Sequence, residues 1–161
     1  MATVTKKSIR QESAAGGGTP YGNNGVNRFA LATNSSGVLV DSDQTTALGF
    51  GEVVRIGVLP AGTYLDDCLA LVNDVFTASA TAKVGFQYVD GTDSTSVPQD
   101  DDYFFAALDL NTLARTRANN TAVRPVKLPK PAYLIVTIAG ANLAAAGIVD
   151  FLVFGESAGV S

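Results

Sequence analysis

The sequence predicts an all-β protein, a two-sheet antiparallel sandwich that follows an extended N-terminal arm. A jelly roll is the expected topology, and an immunoglobulin-like topology is the alternative. Two observations carry this prediction. From Phe29 onward, apolar segments of five to ten residues alternate with turn-forming clusters, a pattern typical of many short strands. The 161 residues also include sixteen glycines and six prolines, which favour turns over long helices. Two stacked sheets bury the inner faces of eight strands better than one open sheet does.

The first 28 residues are predicted to form a flexible arm, and residues 29–161 the sandwich domain. The arm runs into the glycine-rich stretch AAGGGTPYGNNG, which offers few side chains for burial. Its charged residues are Lys6, Lys7, Arg10, Glu12 and Arg28. The arm therefore has a formal charge of +3, and the body, with seven basic and fourteen acidic residues, has −7. Such a segment either orders on an acidic neighbour or remains a passive tail.

Eight strands are predicted in the body, with turns such as Pro60-Ala61-Gly62 and Asp90-Gly91 between them. The predicted strands are Arg28–Thr33, Gly37–Asp41, Phe50–Leu59, Tyr64–Asn73, Thr81–Val89, Tyr103–Leu110, Tyr133–Ala139 and Ile148–Phe154.

The faces of these strands differ in character. In the strand from Thr81, the residues Ala82, Val84, Phe86 and Tyr88 share one apolar face, as expected for a half-buried strand. The segments 134–138 and 149–154 are instead apolar on both faces. We expect a second layer or a neighbouring subunit to cover them, and therefore predict a homo-oligomer.

The missing residue types exclude most familiar catalytic sites. The chain has no His and no Trp, and its single Cys cannot form an internal disulfide or a thiolate metal site. Cys68 lies in the apolar stretch Leu65–Val72 with no basic residue near it in sequence, so we expect a buried thiol. We predict no enzymatic activity and no cofactor.

The densest group of carboxylates comprises Asp90, Asp93 and Asp100–Asp102. Oxygen-rich loops of this kind bind calcium when their side chains converge, but the order of ligands in an EF-hand is absent. We predict a solvated acidic loop without a metal, and calcium remains the alternative.

Neither nucleic acid nor a membrane is predicted as a partner. The net charge of −4 does not favour either of these anionic surfaces. The basic stretch from Arg115 to Lys130 contains two prolines and no aromatic residue, a third proline follows at Pro131, and the stretch is predicted to be an extended, solvent-facing connection. No apolar segment approaches the ~20 residues that span a bilayer. The basic N-terminus lacks the apolar region of a secretory signal, so we expect synthesis in a cytoplasm.

Several segments together resemble the small virion structural proteins of tailed bacteriophages that decorate or cement a capsid. They are the polar N-terminal arm, VVRIGVLPAGTYLDDCLALVNDVF, TAKVGFQYVDG, DDDYFFAALDL, PKPAYLIVTIAG and GIVDFLVFGE. The resemblance covers nearly all of the body and consists of strand and turn patterns without a chemical motif. It implies a β-sandwich that assembles as a small cyclic homo-oligomer on the outside of a protein shell.

These observations lead to one functional hypothesis and three alternatives. The hypothesis is a non-enzymatic capsid decoration protein, a trimer by first choice, bound to the major capsid protein on the virion exterior after synthesis in the host cytoplasm. The alternatives are a phage tail or head-fibre component, a carbohydrate-binding module, and an enzyme that uses paired carboxylates. The candidate shell contacts in the arm are Lys6, Lys7, Arg10, Tyr21 and Arg28.

Overall fold

The computed structural model describes residues 3–6 and 24–157, and the chain forms only strands, turns and irregular segments in these ranges. The strands are β1 (Thr3–Thr5), β2 (Asn24–Thr33), β3 (Val53–Leu59), β4 (Tyr64–Leu65), β5 (Asp67–Asp74), β6 (Thr81–Tyr88), β7 (Asp100–Asp109), β8 (Ala114–Arg117), β9 (Val126–Lys127), β10 (Ala132–Ala139) and β11 (Gly147–Glu156).

The strands form a two-sheet sandwich with jelly-roll topology. One sheet has the order β2-β11-β5-β8, and the other has the order β3-β10-β6-β7 with β1 added beside β3. Numbered along the chain, the eight main strands therefore occur as 1-8-3-6 facing 2-7-4-5, which is the arrangement of a jelly roll. All pairs in the two sheets are antiparallel except β1 with β3, and β4 pairs with β9 separately. The all-β sandwich prediction is confirmed.

The core lies between the inner faces of the two sheets, as alternation along the strands requires. On β6, the predicted inward residues Ala82, Val84, Phe86 and Tyr88 are all buried. Three inward residues of β11 from the opposite sheet, Val149, Phe151 and Val153, are completely buried as well. The core also contains Cys68, so the prediction of a buried thiol is confirmed.

The turn at Pro60-Ala61-Gly62 connects the two sheets rather than two neighbours in one sheet. Gly62 has φ of 79°, a left-handed conformation that glycine adopts without strain. Its amide donates to the carbonyl oxygen of Leu128 at 2.8 Å. The predicted reversal is therefore present, and it carries the chain from β3 to β5 in the opposite sheet.

The predicted boundary at Arg28 lies inside a strand. β2 begins at Asn24, and residues 24–28 pair with 152–156 of β11. The sequence does not indicate this extension, because Asn24, Gly25 and Asn27 have low strand propensity and are ordered here by pairing. Thr3–Thr5, which the sequence assigns to the flexible arm, forms the edge strand β1.

Two other predictions about strands are wrong. The segment Gly37–Asp41 is a turn with isolated bridges, because Gly37 and Asp41 have φ of 75° and 60°. The segment Ala114–Arg117, expected in a solvent-facing connection, is the edge strand β8. Two arginines alternate with small residues there, a pattern that an edge strand with one solvated face tolerates. No helix in the described part of the chain is long and apolar enough to cross a membrane.

Candidate protein-binding surfaces

The five arm residues selected from the sequence have different positions. The ammonium group of Lys6 donates to the carbonyl oxygen of Ala30 at 3.0 Å, so it connects β1 with β2 of the opposite sheet. Arg28 lies on β2 with its side chain exposed. Lys7, Arg10 and Tyr21 lie outside the described residues. Lys6 and Arg28 therefore both lie at β2. The ammonium group of Lys6 is hydrogen-bonded there, whereas the side chain of Arg28 is exposed to solvent.

A largely apolar surface covers the outside of the β2-β11-β5-β8 sheet, and we call it the outer β11 face. Its apolar residues alternate with the buried ones along each strand: Val26, Ala30 and Ala32 on β2, Ile148, Leu152 and Phe154 on β11, and Leu69 and Leu71 on β5. Val26 and Ile148 are 42% and 41% exposed, and the other residues are half-buried. The sequence analysis predicted that a second layer or a neighbouring subunit covers segment 149–154. On the outer side of β11, no part of the described chain provides this cover.

The strand register places the arginines at the two edges of the outer β11 face. One row across the four strands consists of Arg28, Leu152, Leu69 and Arg117, and the next of Ala30, Asp150, Leu71 and Arg115. Apolar residues therefore lie between a cation on β2 and two cations on β8. The sequence indicated the apolar run on β11, but Arg115 and Arg117 reach this face only through pairing with a strand more than 40 residues away.

Two of the carboxylates on this face are already paired. Asp67 accepts a hydrogen bond from Nε of Arg117 at 2.6 Å, and Asp150 accepts one from the amide of Asn73. Arg28 and Arg115 have no hydrogen bond or ion pair with any residue in the described ranges. Glu156, on the same side of β11, and Asp74, opposite Ile148, are exposed as well, so the three arginines of the outer β11 face do not give it a net positive charge.

The outside of the opposite sheet is partly covered by the chain itself. Ile135 and Thr137 on β10 are only 4% and 9% exposed, although they point away from the core. They lie in a groove of about 340 Å³, which is also lined by Thr3 and Val53 on one side and by Asp100–Asp101 on the other. The outer side of segment 134–138, which is apolar on both faces, is thus covered by other parts of the same chain. A cover within the domain was one of the two expectations for this segment, and a neighbouring subunit was the other.

Asp100–Asp102, which the sequence analysis places in an acidic loop, are the first residues of β7, and they lie close together. One carboxylate oxygen from each of Asp100, Asp101 and Asp102 lies within 4.8 Å of the others. Lys83 forms an ion pair with Asp101 at 3.1 Å, and Lys130 forms one with Asp90 at 2.8 Å. Desolvation raises the pKa of Asp102, and its neighbours Asp100 and Asp101 raise it further. Repulsion among these three carboxylates is unfavourable, and a nearby cation reduces it. The ammonium group of Lys83 already acts as such a cation.

Cys68 and the aromatic residues bear on the alternative functions. Burial raises the pKa of the Cys68 thiol, which disfavours the nucleophilic thiolate. Among residues 24–157, Phe50 is 68% exposed and Tyr64 37% exposed, but they lie at opposite ends of the sandwich. These two rings therefore do not form the shared aromatic platform expected of a carbohydrate-binding module.

Comparison with solved structures identifies the same fold in phage capsids. A chain of the capsid of Ralstonia phage GP4 matches with a TM-score of 0.65 and 16% sequence identity, over 99% of this chain and 100% of that one. The chain has the fold of phage capsid proteins. A chain of the capsid asymmetric unit of cyanophage Pam1 also matches, with a TM-score of 0.54 and 14% identity over 91% of this chain and 94% of that one. No protein-family model and no curated protein sequence matches. The resemblance found in the sequence is thus confirmed at the level of the fold.

Proposed function

We propose that this protein is a structural component of a phage virion, and specifically a decoration protein that binds the outer surface of the capsid shell and stabilises it. The observation that carries the proposal is the match to the chain of the phage GP4 capsid over the full length of both chains. That neighbour is therefore about as long as this chain, and the similarity extends over the whole of both chains.

The surface chemistry supports a role in binding protein. The outer β11 face exposes apolar side chains between arginines, a composition suited to contacts between proteins. The arm that precedes it has a formal charge of +3. Lys7, Arg10, Tyr21 and Arg28 remain the proposed contacts with the major capsid protein, whereas the ammonium group of Lys6 is engaged with Ala30.

We also propose that the protein acts as a small cyclic homo-oligomer, with a trimer as first choice. Several weak attachments in one oligomer give an avidity that a single 161-residue chain lacks. Contacts between copies are available at the end of the sandwich that carries the β2–β3 and β7–β8 loops. Phe50 and Leu113 in these loops are 68% and 64% exposed.

Binding to purified shells tests the proposed function. Shells of the capsid protein from the same genome, assembled without this chain, are incubated with the purified protein and pelleted. We expect saturable co-sedimentation and a higher melting temperature of the decorated shells, because a ligand that binds only the assembled state stabilises it. Absence of the protein from the pellet at all concentrations contradicts the decoration role. Analytical ultracentrifugation measures the oligomer, and a monomer at micromolar concentration contradicts the trimer.

A further inference from the structure

We propose that the groove on the outside of β10 binds a primary ammonium group carried on an alkyl stem. A lysine side chain of a partner and a free polyamine share this chemistry. The inference goes beyond the proposed function and does not depend on it. The groove has a volume of about 340 Å³, which is at the lower end of the range of ligand pockets. Its lining is apolar at Val53 and Ile135 and polar at Asp100, Asp101 and Thr137, which matches the two parts of such a ligand.

The acidic wall of the groove depends on a glycine in β6. Gly85 lies on the outward side of this strand, and a Cβ atom there would be 2.0 Å from the carbonyl oxygen of Asp100. The first residues of β7 therefore pass directly over β6, where the register of the two strands shifts. This crossing brings Asp100 and Asp101 to the same groove as Ile135 of β10.

The charged groups around the groove leave an excess of one negative charge. Along β1, β3, β6 and β10, the only charged residues are Arg55 and Lys83, and the start of β7 adds Asp100–Asp102. Three acidic and two basic side chains give a formal charge of −1. Lys83 is paired with Asp101 at 3.1 Å, and Arg55 donates to the side-chain oxygen of Gln87 at 3.3 Å. A further cation would reduce the repulsion among the three carboxylates.

An independent observation is the hydroxyl group of Thr137. This residue is 9% exposed, and its hydroxyl oxygen is buried without a hydrogen-bond partner among the described residues. Burial of a hydroxyl without a partner is unfavourable. Thr33, at 5% exposure on β2, shows the usual arrangement, because its hydroxyl donates to the carbonyl oxygen of Ala145 at 2.8 Å. An ammonium group in the groove would supply the missing donor, after a change of rotamer that turns the Thr137 hydroxyl toward it.

The lining favours an alkylammonium over a metal ion. The amide of Asp102 donates to a carboxylate oxygen of Asp100 at 3.0 Å, and Lys83 is paired with Asp101, so part of the capacity to bind a metal is used. An ammonium group has three N–H donors and needs only hydrogen-bond acceptors. The apolar side chains of Val53 and Ile135 would contact the alkyl stem, which a metal ion lacks.

The experiment uses n-butylammonium as the probe and n-butanol as its uncharged control. Each is titrated into the full-length protein, and binding is followed by amide chemical shifts. Thr137→Val removes the hydroxyl and keeps the shape of the side chain, and its matched control is Thr33→Val. Asp100→Asn removes one charge but keeps an acceptor for the amide of Asp102, and its control is Asp109→Asn at the other end of β7.

We expect saturable shifts at the groove with n-butylammonium and none with n-butanol. Both groove variants should raise the dissociation constant about fivefold or more, and both controls should stay within about twofold of the wild type. Thr137→Val should melt no lower than the wild type, because it loses no hydrogen bond, whereas Thr33→Val should melt lower. The proposal is wrong if n-butylammonium causes no saturable shift, if n-butanol binds equally well, or if Thr137→Val binds like the wild type.

Co-sedimentation with shells in the presence of n-butylammonium identifies the source of the ammonium group. Competition would show that a lysine of the shell occupies the groove, and unchanged co-sedimentation would favour a free polyamine. If the protein does not bind shells at all, the decoration role is wrong, while binding of n-butylammonium to the isolated protein still supports the groove.

Discussion

At the scale of single residues, Tyr103 connects the core of the sandwich to β4 and to the loop before β9. Its ring lies edge to face against Phe86 and Phe104, with centroids 5.4 and 4.9 Å away. Its hydroxyl lies 3.1 Å from the carbonyl oxygen of Leu65 and 2.8 Å from that of Arg124. Burial raises the pKa of Tyr103 to about 12. The phenol is therefore harder to ionise in the folded chain than in the unfolded one.

Substitution of Tyr103 by Phe tests this arrangement. Near neutral pH we expect the free energy of unfolding to fall by about 1–3 kcal/mol, because the carbonyl groups of Leu65 and Arg124 lose the single phenolic proton that they share. The stabilisation from the raised pKa is complete below pH 10 and is lost as the pH rises from 10 to about 12. The stability difference between wild type and Tyr103→Phe should therefore shrink over that range in urea titrations. A stability difference that stays constant up to pH 12 would show that folding does not hinder ionisation of the Tyr103 phenol.

Gly85 marks a close approach between β6 and the first residues of β7. A Cβ atom at Gly85 would lie 2.0 Å from the carbonyl oxygen of Asp100, which is backbone and cannot turn aside. We expect Gly85→Ala to lower the free energy of unfolding by about 1–3 kcal/mol or more. Gly49→Ala is the control, since the nearest atom to its Cβ lies 3.7 Å away. Equal urea midpoints for the two variants would contradict the packing described for the irregular β6–β7 pair.

At the scale of elements, the short strand β1 is part of the sandwich although it belongs to the predicted arm. Val4 is 6% exposed and belongs to the core, while Thr3 and Thr5 are exposed. We expect Val4→Asp to cost at least about 2 kcal/mol, since a carboxylate would replace a buried apolar side chain. For a chain of this length that corresponds to a fall in Tm of about 4–8 °C.

The matched control is Thr5→Asp, which adds the same charge at an exposed position of the same strand. Thermal unfolding monitored by circular dichroism should leave its Tm within about 2 °C of the wild type. If Val4→Asp and Thr5→Asp melt together, β1 contributes no stability. Deletion of the first residues would then leave the sandwich intact, as the sequence alone predicts.

The acidic residues Asp100–Asp102 are expected to bind no calcium. Lys83 already pairs with Asp101, and the amide of Asp102 donates to a carboxylate oxygen of Asp100 at 3.0 Å, so part of the ligand capacity is used. Chelator and millimolar calcium should therefore leave the Tm unchanged within about 1 °C. A calcium-dependent rise of several degrees, lost in Asp101→Asn, would overturn this expectation, because a cation that binds only the folded state stabilises it.

The elements that the sequence predicts correctly are those whose own residues carry a period. β6 alternates strictly, and β10 and β11 are apolar runs between turns, so local pattern is sufficient. β8 was missed because Ala114–Arg117 has little apolar content and is ordered by pairing with β5. The outer β11 face, too, was only partly predictable from local sequence patterns. The apolar outer side of β11 was apparent in the sequence, whereas its juxtaposition with Arg115 and Arg117 depends on strand order, which no local pattern encodes.

At the scale of the whole molecule, charge is distributed unevenly between the arm, the outer β11 face and the rest of the body. The arm has a formal charge of +3, the outer β11 face carries arginines together with at least as many carboxylates, and residues 29–161 together carry −7. The positive charge of the arm favours an acidic partner, whereas the acidic body repels a partner of that kind. Attachment to the shell should therefore depend on the positions of the cations, and not only on the net charge of the chain.

Reversal of the arm charges separates the effect of where the cations lie from the effect of the net charge. We expect Lys7→Glu with Arg10→Glu to weaken attachment to shells at low salt, because two cations that are proposed to contact the shell are replaced by carboxylates. The loss should diminish at high salt, since the screening length falls from about 8 Å at 0.15 M to about 3 Å at 1 M. Arg124→Glu with Lys127→Glu changes the net charge equally at two exposed positions of the body. Co-sedimentation at several salt concentrations compares the pairs. Equal losses in both would mean that only net charge matters, and no loss in the arm pair would make the arm a passive tail.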